Sequence, residues 1–209
     1  MTDGSRGRLI ALEGIDGCGK STQAGVLAAR LGAVLTFEPG ATPLGSHLRG
    51  LLLDSERPPL AERTEALLMA ADRAQHVAAV VAPALQAGDW VVTDRFSGST
   101  LAYQGYGRGL GLPGLRQLVD WATGGLRADL SILIEVPSGL AAERSRPDRL
   151  DRFEVLGPEF HQRVADGFHQ LATDDPEAWV VVDGTGGVDE VAASVWSAVR
   201  ERLGEPTGG

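Results

Sequence analysis

The 209-residue chain has no asparagine and a single lysine, Lys20, set against eighteen arginines. Without Asn, and with its lysine inside a glycine-rich turn, the chain cannot carry the N-K-x-D motif by which GTPase switches read guanine. Cys18 is the one cysteine, so no intrachain disulfide can form, and a cytoplasmic location is expected. No apolar run approaches the roughly 20 residues a membrane span needs. Met1 to Arg8 is short, polar and Gly-rich, so no signal peptide is expected there. Cationic charge is scarce too: the net charge is −9. That disfavours general nucleic-acid binding, which calls for a basic face. A local arginine cluster can still hold a small anion in an acidic protein.

What is present alternates. Short segments rich in β-branched and apolar residues, at 8–13, 33–37, 90–93, 130–136 and 179–182, read as strands. Helical patterns separate them at 21–31, 62–87, 115–122, 159–172 and 188–203, the second of these disturbed at Pro83. Strands apolar on both faces and separated by helices predict an α/β fold: a five-stranded parallel sheet with helices on both faces. One domain over 1–209 is expected, with flexible ends at 1–7 and 204–209.

Gly14-Ile15-Asp16-Gly17-Cys18-Gly19-Lys20-Ser21 matches G-x-x-x-x-G-K-[ST], with a strand before it and a helix after it. The glycines let the backbone wrap so that its N–H groups face a phosphate. Lys20 adds a compact positive charge, and the Ser21 hydroxyl can ligate Mg²⁺. The loop and Thr22 form the expected ATP site of a phosphate-loop (P-loop) NTPase. Eighteen arginines elsewhere make the lone lysine informative: a planar guanidinium does not substitute for an ammonium in such a cradle. Cys18 reads as a small filler.

The third strand ends in Asp94-Arg95. An acid at this point can serve Mg²⁺, through water, and an adjoining arginine can grip a second, phosphate-bearing substrate. Motor and transport ATPases usually carry two acids there. Asp183-Gly184-Thr185-Gly186 matches D-x-x-G, but reads better as a turn at a strand end.

Beyond the loop, the chain resembles bacterial thymidylate kinases from about residue 9 to 203. The segments that carry the likeness are LEGIDGCGKST at 12–22, EPGATPLG at 38–45, LLMAADRAQH at 67–76, TDRFSGSTLAYQG at 93–105, DRFE at 151–154 and VVVDGT at 180–185. The resemblance implies a kinase that moves the γ-phosphoryl group of Mg·ATP onto dTMP, giving dTDP and ADP; another nucleoside or nucleotide kinase of this fold with altered base preference is the alternative. Several roles are implied with it. Asp16 would hold the acceptor sugar hydroxyl and help organise Mg²⁺. Phe37, Pro39 and Met69 would lie near the thymine ring, and Arg49 and Arg95 at the acceptor phosphate. Arg73 would serve base and phosphate, Thr100 and Gln104 the base edge, and Tyr103 the deoxyribose. Thr100 and Gln104 could alternatively make a local polar contact, as i, i+4 neighbours on a helix.

Arg144, Arg146, Arg149 and Arg152 would belong to a lid at about 144–152 that closes over ATP, with Arg149 and Arg152 favoured as catalytic groups alongside Lys20, Arg95 and Asp16. A homodimer packed through helices, including the Ala-rich one, is implied as well. The chain departs from the family pattern at Met69, where an aromatic residue is common, at Phe37, where arginine is frequent, and at Glu135, where aspartate is usual. Gly17 stands where one branch of the family has an arginine. His47, His76, His161 and His169 show no metal-ligand or triad spacing and are assigned no chemistry.

Overall fold

The computed structural model describes residues 6–144 and 151–205. Five parallel strands form one sheet: β1 (Leu9–Glu13), β2 (Val34–Phe37), β3 (Val91–Asp94), β4 (Leu130–Glu135) and β5 (Trp179–Asp183), in the spatial order β2-β3-β1-β4-β5. The α/β architecture expected from the apolar runs is therefore observed. Strand β1 is central and wholly buried. Its register with β3 sets Leu12 beside Asp94, so the phosphate loop and the Asp94-Arg95 pair leave the same end of the sheet. Ligands of open parallel sheets bind at those carboxyl ends.

Helices α1 (Lys20–Leu31) and α9 (Val188–Leu203) pack against each other, while α2 (Pro43–Leu53) and α3 (Glu62–His76) build the wall beyond β2. The helical pattern at 62–87 is disturbed by a π-helical turn at Val77–Val81, directly before Pro83. The chain stays helical through Val81 and Ala82 into α4 (Ala82–Ala87), so the widened turn accommodates a proline that has no N–H to donate. Helix α5 (Ser97–Thr100) runs into a second π-helical segment, Leu101–Gly107, followed by α6 (Leu112–Thr123), α7 (Ser138–Arg144) and α8 (Pro158–Asp174). The wide turn and its glycines bring this backbone close to α8: a Cβ at Gly107 would lie 2.7 Å from Phe160.

At the start of the described residues, Arg6 donates to the carboxylate of Asp129 and the Gly7 N–H to the Leu85 carbonyl. The third strand begins one residue later than its apolar pattern suggested and includes Asp94. The core of the expected lid, 145–150, lies outside the described residues.

Candidate active site

The loop after β1 turns on glycines. Gly14 has φ 143°, and a Cβ there would meet the Ile134 carbonyl oxygen at 2.7 Å; only glycine fits. Gly19, at φ 97°, opens α1. Lys20 is buried, with Nζ donating to the Ile15 carbonyl at 3.2 Å and lying 3.4 Å from Asp16 Oδ1. The Ser21 hydroxyl donates to Asp94 Oδ2. Asp94 Oδ1 is buried without a protein partner among the described residues. Beside the loop, a groove runs between Gly17–Gln23 and the turn at Gly184–Val188.

On the other side of Asp16 lies a cavity lined by Pro39, Arg49, Met69, Arg73, Arg95, Thr100, Tyr103 and Gln104, all of them proposed acceptor contacts from the sequence, and by Glu38, Leu53, Asp72, Ser99, Asp151 and Phe153, which were not. An open cleft past Lys20, Ser21, Asp94 and Arg95 adjoins this cavity.

Arg95 sits where the cleft and the cavity meet, in a left-handed backbone conformation (φ 72°). Its N–H donates to the Leu12 carbonyl, and its own carbonyl accepts from Thr93 Oγ1, which hold that uncommon geometry. Its guanidinium donates to the Gly14 carbonyl, Ser99 Oγ, Asp16 Oδ1 and Tyr103 Oη. Burial alone would raise the Asp16 pKa, but Arg95, Lys20 and the Tyr103 hydroxyl hold its carboxyl well below the usual range. Asp16 is thus an anion fixed between the two cationic groups of the site.

Several acids were missed because their partners are remote in sequence. Glu38 accepts from Arg73 Nε and His76 Nδ1, both at 2.8 Å, and His76 Nε2 lies 2.7 Å from Thr36 Oγ1. His76 is fully buried and braces Glu38. Arg73 is committed further, to Thr100 Oγ1 and the Phe96 carbonyl. Burial and the neighbouring Glu38 raise the Asp72 pKa. Glu13, fully buried at the end of β1, accepts from Phe96 N, Ser99 N and Ser99 Oγ. Burial pushes its carboxyl up to about 7. The one signal available in the sequence was the oddity of an acid closing an otherwise apolar strand.

Three placements differ from expectation. Phe37 is 44% exposed and lines the cleft, not the cavity; it belongs neither to the core nor to the wall around Met69. Arg152 is buried, and its guanidinium donates to the carbonyls of Pro58, Asp54 and Arg57, so it staples the α2–α3 loop instead of facing the phosphate loop. Arg144, ranked below it from sequence, lines the groove beside Gly17–Gln23 and donates to the carbonyls of Gly184, Thr185 and Gly186. Arg146 and Arg149 lie outside the described residues. Asp183 accepts from the Thr185 N–H, the strand-end turn read from D-x-x-G.

The chain is similar to known proteins. The family model described as thymidylate kinase matches residues 12–195. A thymidylate kinase of Synechococcus sp. (strain JA-2-3B'a(2-13)) is 48% identical over 207 residues, covering 96% of this chain and 98% of the relative. That of Deinococcus radiodurans is 46% identical, covering 95% and 98%. The crystal structure of thymidylate kinase from Ehrlichia chaffeensis superposes with a TM-score of 0.78 at 30% identity, covering 93% of this chain and 99% of that one.

Proposed function

The chain belongs to the thymidylate kinase family, and on that premise we propose that its groove and its cavity are the ATP and dTMP sites of a single phosphoryl transfer. The reaction moves the γ-phosphoryl group of ATP onto the 5′-phosphate of dTMP, giving dTDP and ADP. The observation that carries the assignment of sites is Arg95. It is fixed by four acceptors at the junction between the lysine-bearing loop and the cavity, where donor and acceptor phosphates would meet.

The acceptor phosphate is already ionised, so the chain needs to position and neutralise more than to move protons. Loop N–H groups and Lys20 hold the β- and γ-phosphates of ATP. Arg95 and Arg49 receive the phosphate of dTMP, while Asp16 keeps Arg95 in place and can accept from the sugar hydroxyl. Pro39, Met69, Arg73, Thr100 and Gln104 enclose the base, and Tyr103 abuts the sugar. Arg144 flanks the donor nucleotide.

Ser21 Oγ and the unpartnered Asp94 Oδ1 present hard oxygens at the loop, a donor set that fits Mg²⁺ held in part through water. Bound there, the ion would neutralise charge on the β- and γ-phosphates.

A homodimer is part of the reading. Trp121 on α6 and Leu67 on α3 are 83% and 58% exposed, on two helices that pack together, and these are the apolar side chains a second copy would cover. Among the described residues no helix is long and apolar enough to cross a membrane; a cytoplasmic location is proposed.

The test is ADP release from Mg·ATP with a panel of nucleoside monophosphates. Marked preference for dTMP is expected. Equal or better use of another monophosphate would replace this acceptor, and no turnover with any would end the assignment.

A further inference from the structure

Gln104 is buried at the wall of the acceptor cavity, and its amide cannot turn freely. Its Nε2 donates to Glu65 Oε1 at 3.0 Å. Glu65, in the first turn of α3, is itself buried and is clamped from the other side by Arg108, whose Nε and Nη2 donate to Oε1 at 3.1 Å and Oε2 at 2.7 Å. A carboxylate paired in this way offers only acceptors. It therefore demands the NH₂ end of the carboxamide. The Gln104 Oε1 accepts no hydrogen bond among the described residues, and it is left as the end available to a ligand.

We propose that Glu65, held by Arg108, is a positioning residue for base specificity: it locks the Gln104 carboxamide so that an acceptor, never a donor, faces the base. The inference rests on the cavity being the dTMP site. Thymine carries a hydrogen at ring N3 and can donate to that oxygen. Cytosine presents a bare N3 lone pair there, which would leave two acceptors facing each other. A free glutamine could turn over and serve either base; one anchored to a buried carboxylate cannot. A site built around one donor rejects the analogue that lacks it, because its own polar group is then buried without a partner. Thr100 does not supply discrimination at ring N3, since a hydroxyl can rotate to suit either base, and Arg73, which donates to Glu38, Thr100 and Phe96, offers only donors and so cannot take the N3 hydrogen of thymine.

The experiment is a comparison of kcat/KM for dTMP and dCMP in wild type and Glu65→Gln. The new amide can offer its NH₂ to Gln104, which is then free to reverse. The dTMP-to-dCMP ratio is expected to fall roughly tenfold to a hundredfold, with the KM for ATP unchanged. A purely structural Glu65 would lower both acceptors together and leave the ratio intact; that result overturns the inference. Should the single variant fail to give a cooperative melt, the double swap Glu65→Gln with Gln104→Glu decides. It restores a carboxylate–amide pair and keeps an acceptor toward the base, so a ratio close to wild type is expected, and a collapsed ratio ends the proposal. Wild-type enzyme that uses dCMP as well as dTMP would instead overturn the assignment of the cavity. Wild type that prefers dTMP while Glu65→Gln keeps the full ratio would overturn this inference alone.

Discussion

Arg95 and Asp16, 79 residues apart in sequence, are joined directly, with Tyr103 Oη bonded to both. The pairing ties the end of β3 to the phosphate loop and sets one guanidinium at a fixed place between donor and acceptor sites. Arg95→Ala is expected to lower kcat/KM for dTMP by about a hundredfold to a thousandfold, the usual cost of removing one preorganised charged donor. ATP binding should change little, because Lys20 and the loop remain. Steady-state kinetics with each substrate varied in turn checks this, and equal losses for both would remove Arg95 from its role as acceptor clamp.

Lys20 supports a sharper test. Its side chain is buried, with the ammonium against the Ile15 carbonyl, so the cradle has been built around a compact cation. Lys20→Arg keeps the charge but adds a planar fork that this space does not hold. Turnover is expected to fall by about a thousandfold, as for Lys20→Ala, while the overpacked variant still melts cooperatively at a somewhat lower temperature. A Lys20→Arg enzyme with substantial activity would mean that charge alone suffices.

The two described lid-side arginines should separate cleanly. Arg144→Ala removes a group from the wall of the ATP groove and is expected to raise the KM for ATP roughly tenfold with the dTMP constants little altered. Arg152→Ala unties three carbonyls of the half-exposed α2–α3 loop, which costs about 1–3 kcal/mol and lowers the melting temperature by roughly 2–10 °C. Thermal denaturation and ATP titration of the two variants give opposite patterns if the placements are right.

Features set by local chemistry were legible in the sequence. The phosphate loop depends on glycine spacing and one lysine, and the sheet on apolar runs broken by helices. Pairings across the fold were not legible. Glu38 meets Arg73 from 35 residues away, and Glu65 meets Gln104 from 39; nothing in either segment alone marks those acids as buried. Phe37 shows a subtler limit. Side chains alternate along a strand, and Thr36 and Glu38 both face inward, so the phenyl ring between them must face out, whatever its hydrophobicity suggests. Arg144 and Arg152 look alike in a basic run. Only the carbonyls each one meets, at 184–186 or at 54–58, distinguish them.

Glu13 links stability to pH in a direction opposite to that of most carboxylates. Its ordinary value is 4.5 and burial moves it to about 7 in the folded chain, so the folded state retains a proton that the unfolded chain releases. The stability owed to this group is complete below pH 4.5 and is lost as the pH rises through 7, a change of about 3 kcal/mol. Asp16 has the reverse sign: its contribution is present above its ordinary value of 3.8 and is lost only in stronger acid. Glu13→Gln keeps an acceptor for the N–H groups of Phe96 and Ser99 but cannot ionise. The unfolding free energy of wild type relative to this variant should therefore decline between pH 5 and pH 8. Urea denaturation across that range measures the difference directly, and a difference that stays constant with pH would mean that Glu13 titrates in the folded protein as it does in the unfolded chain.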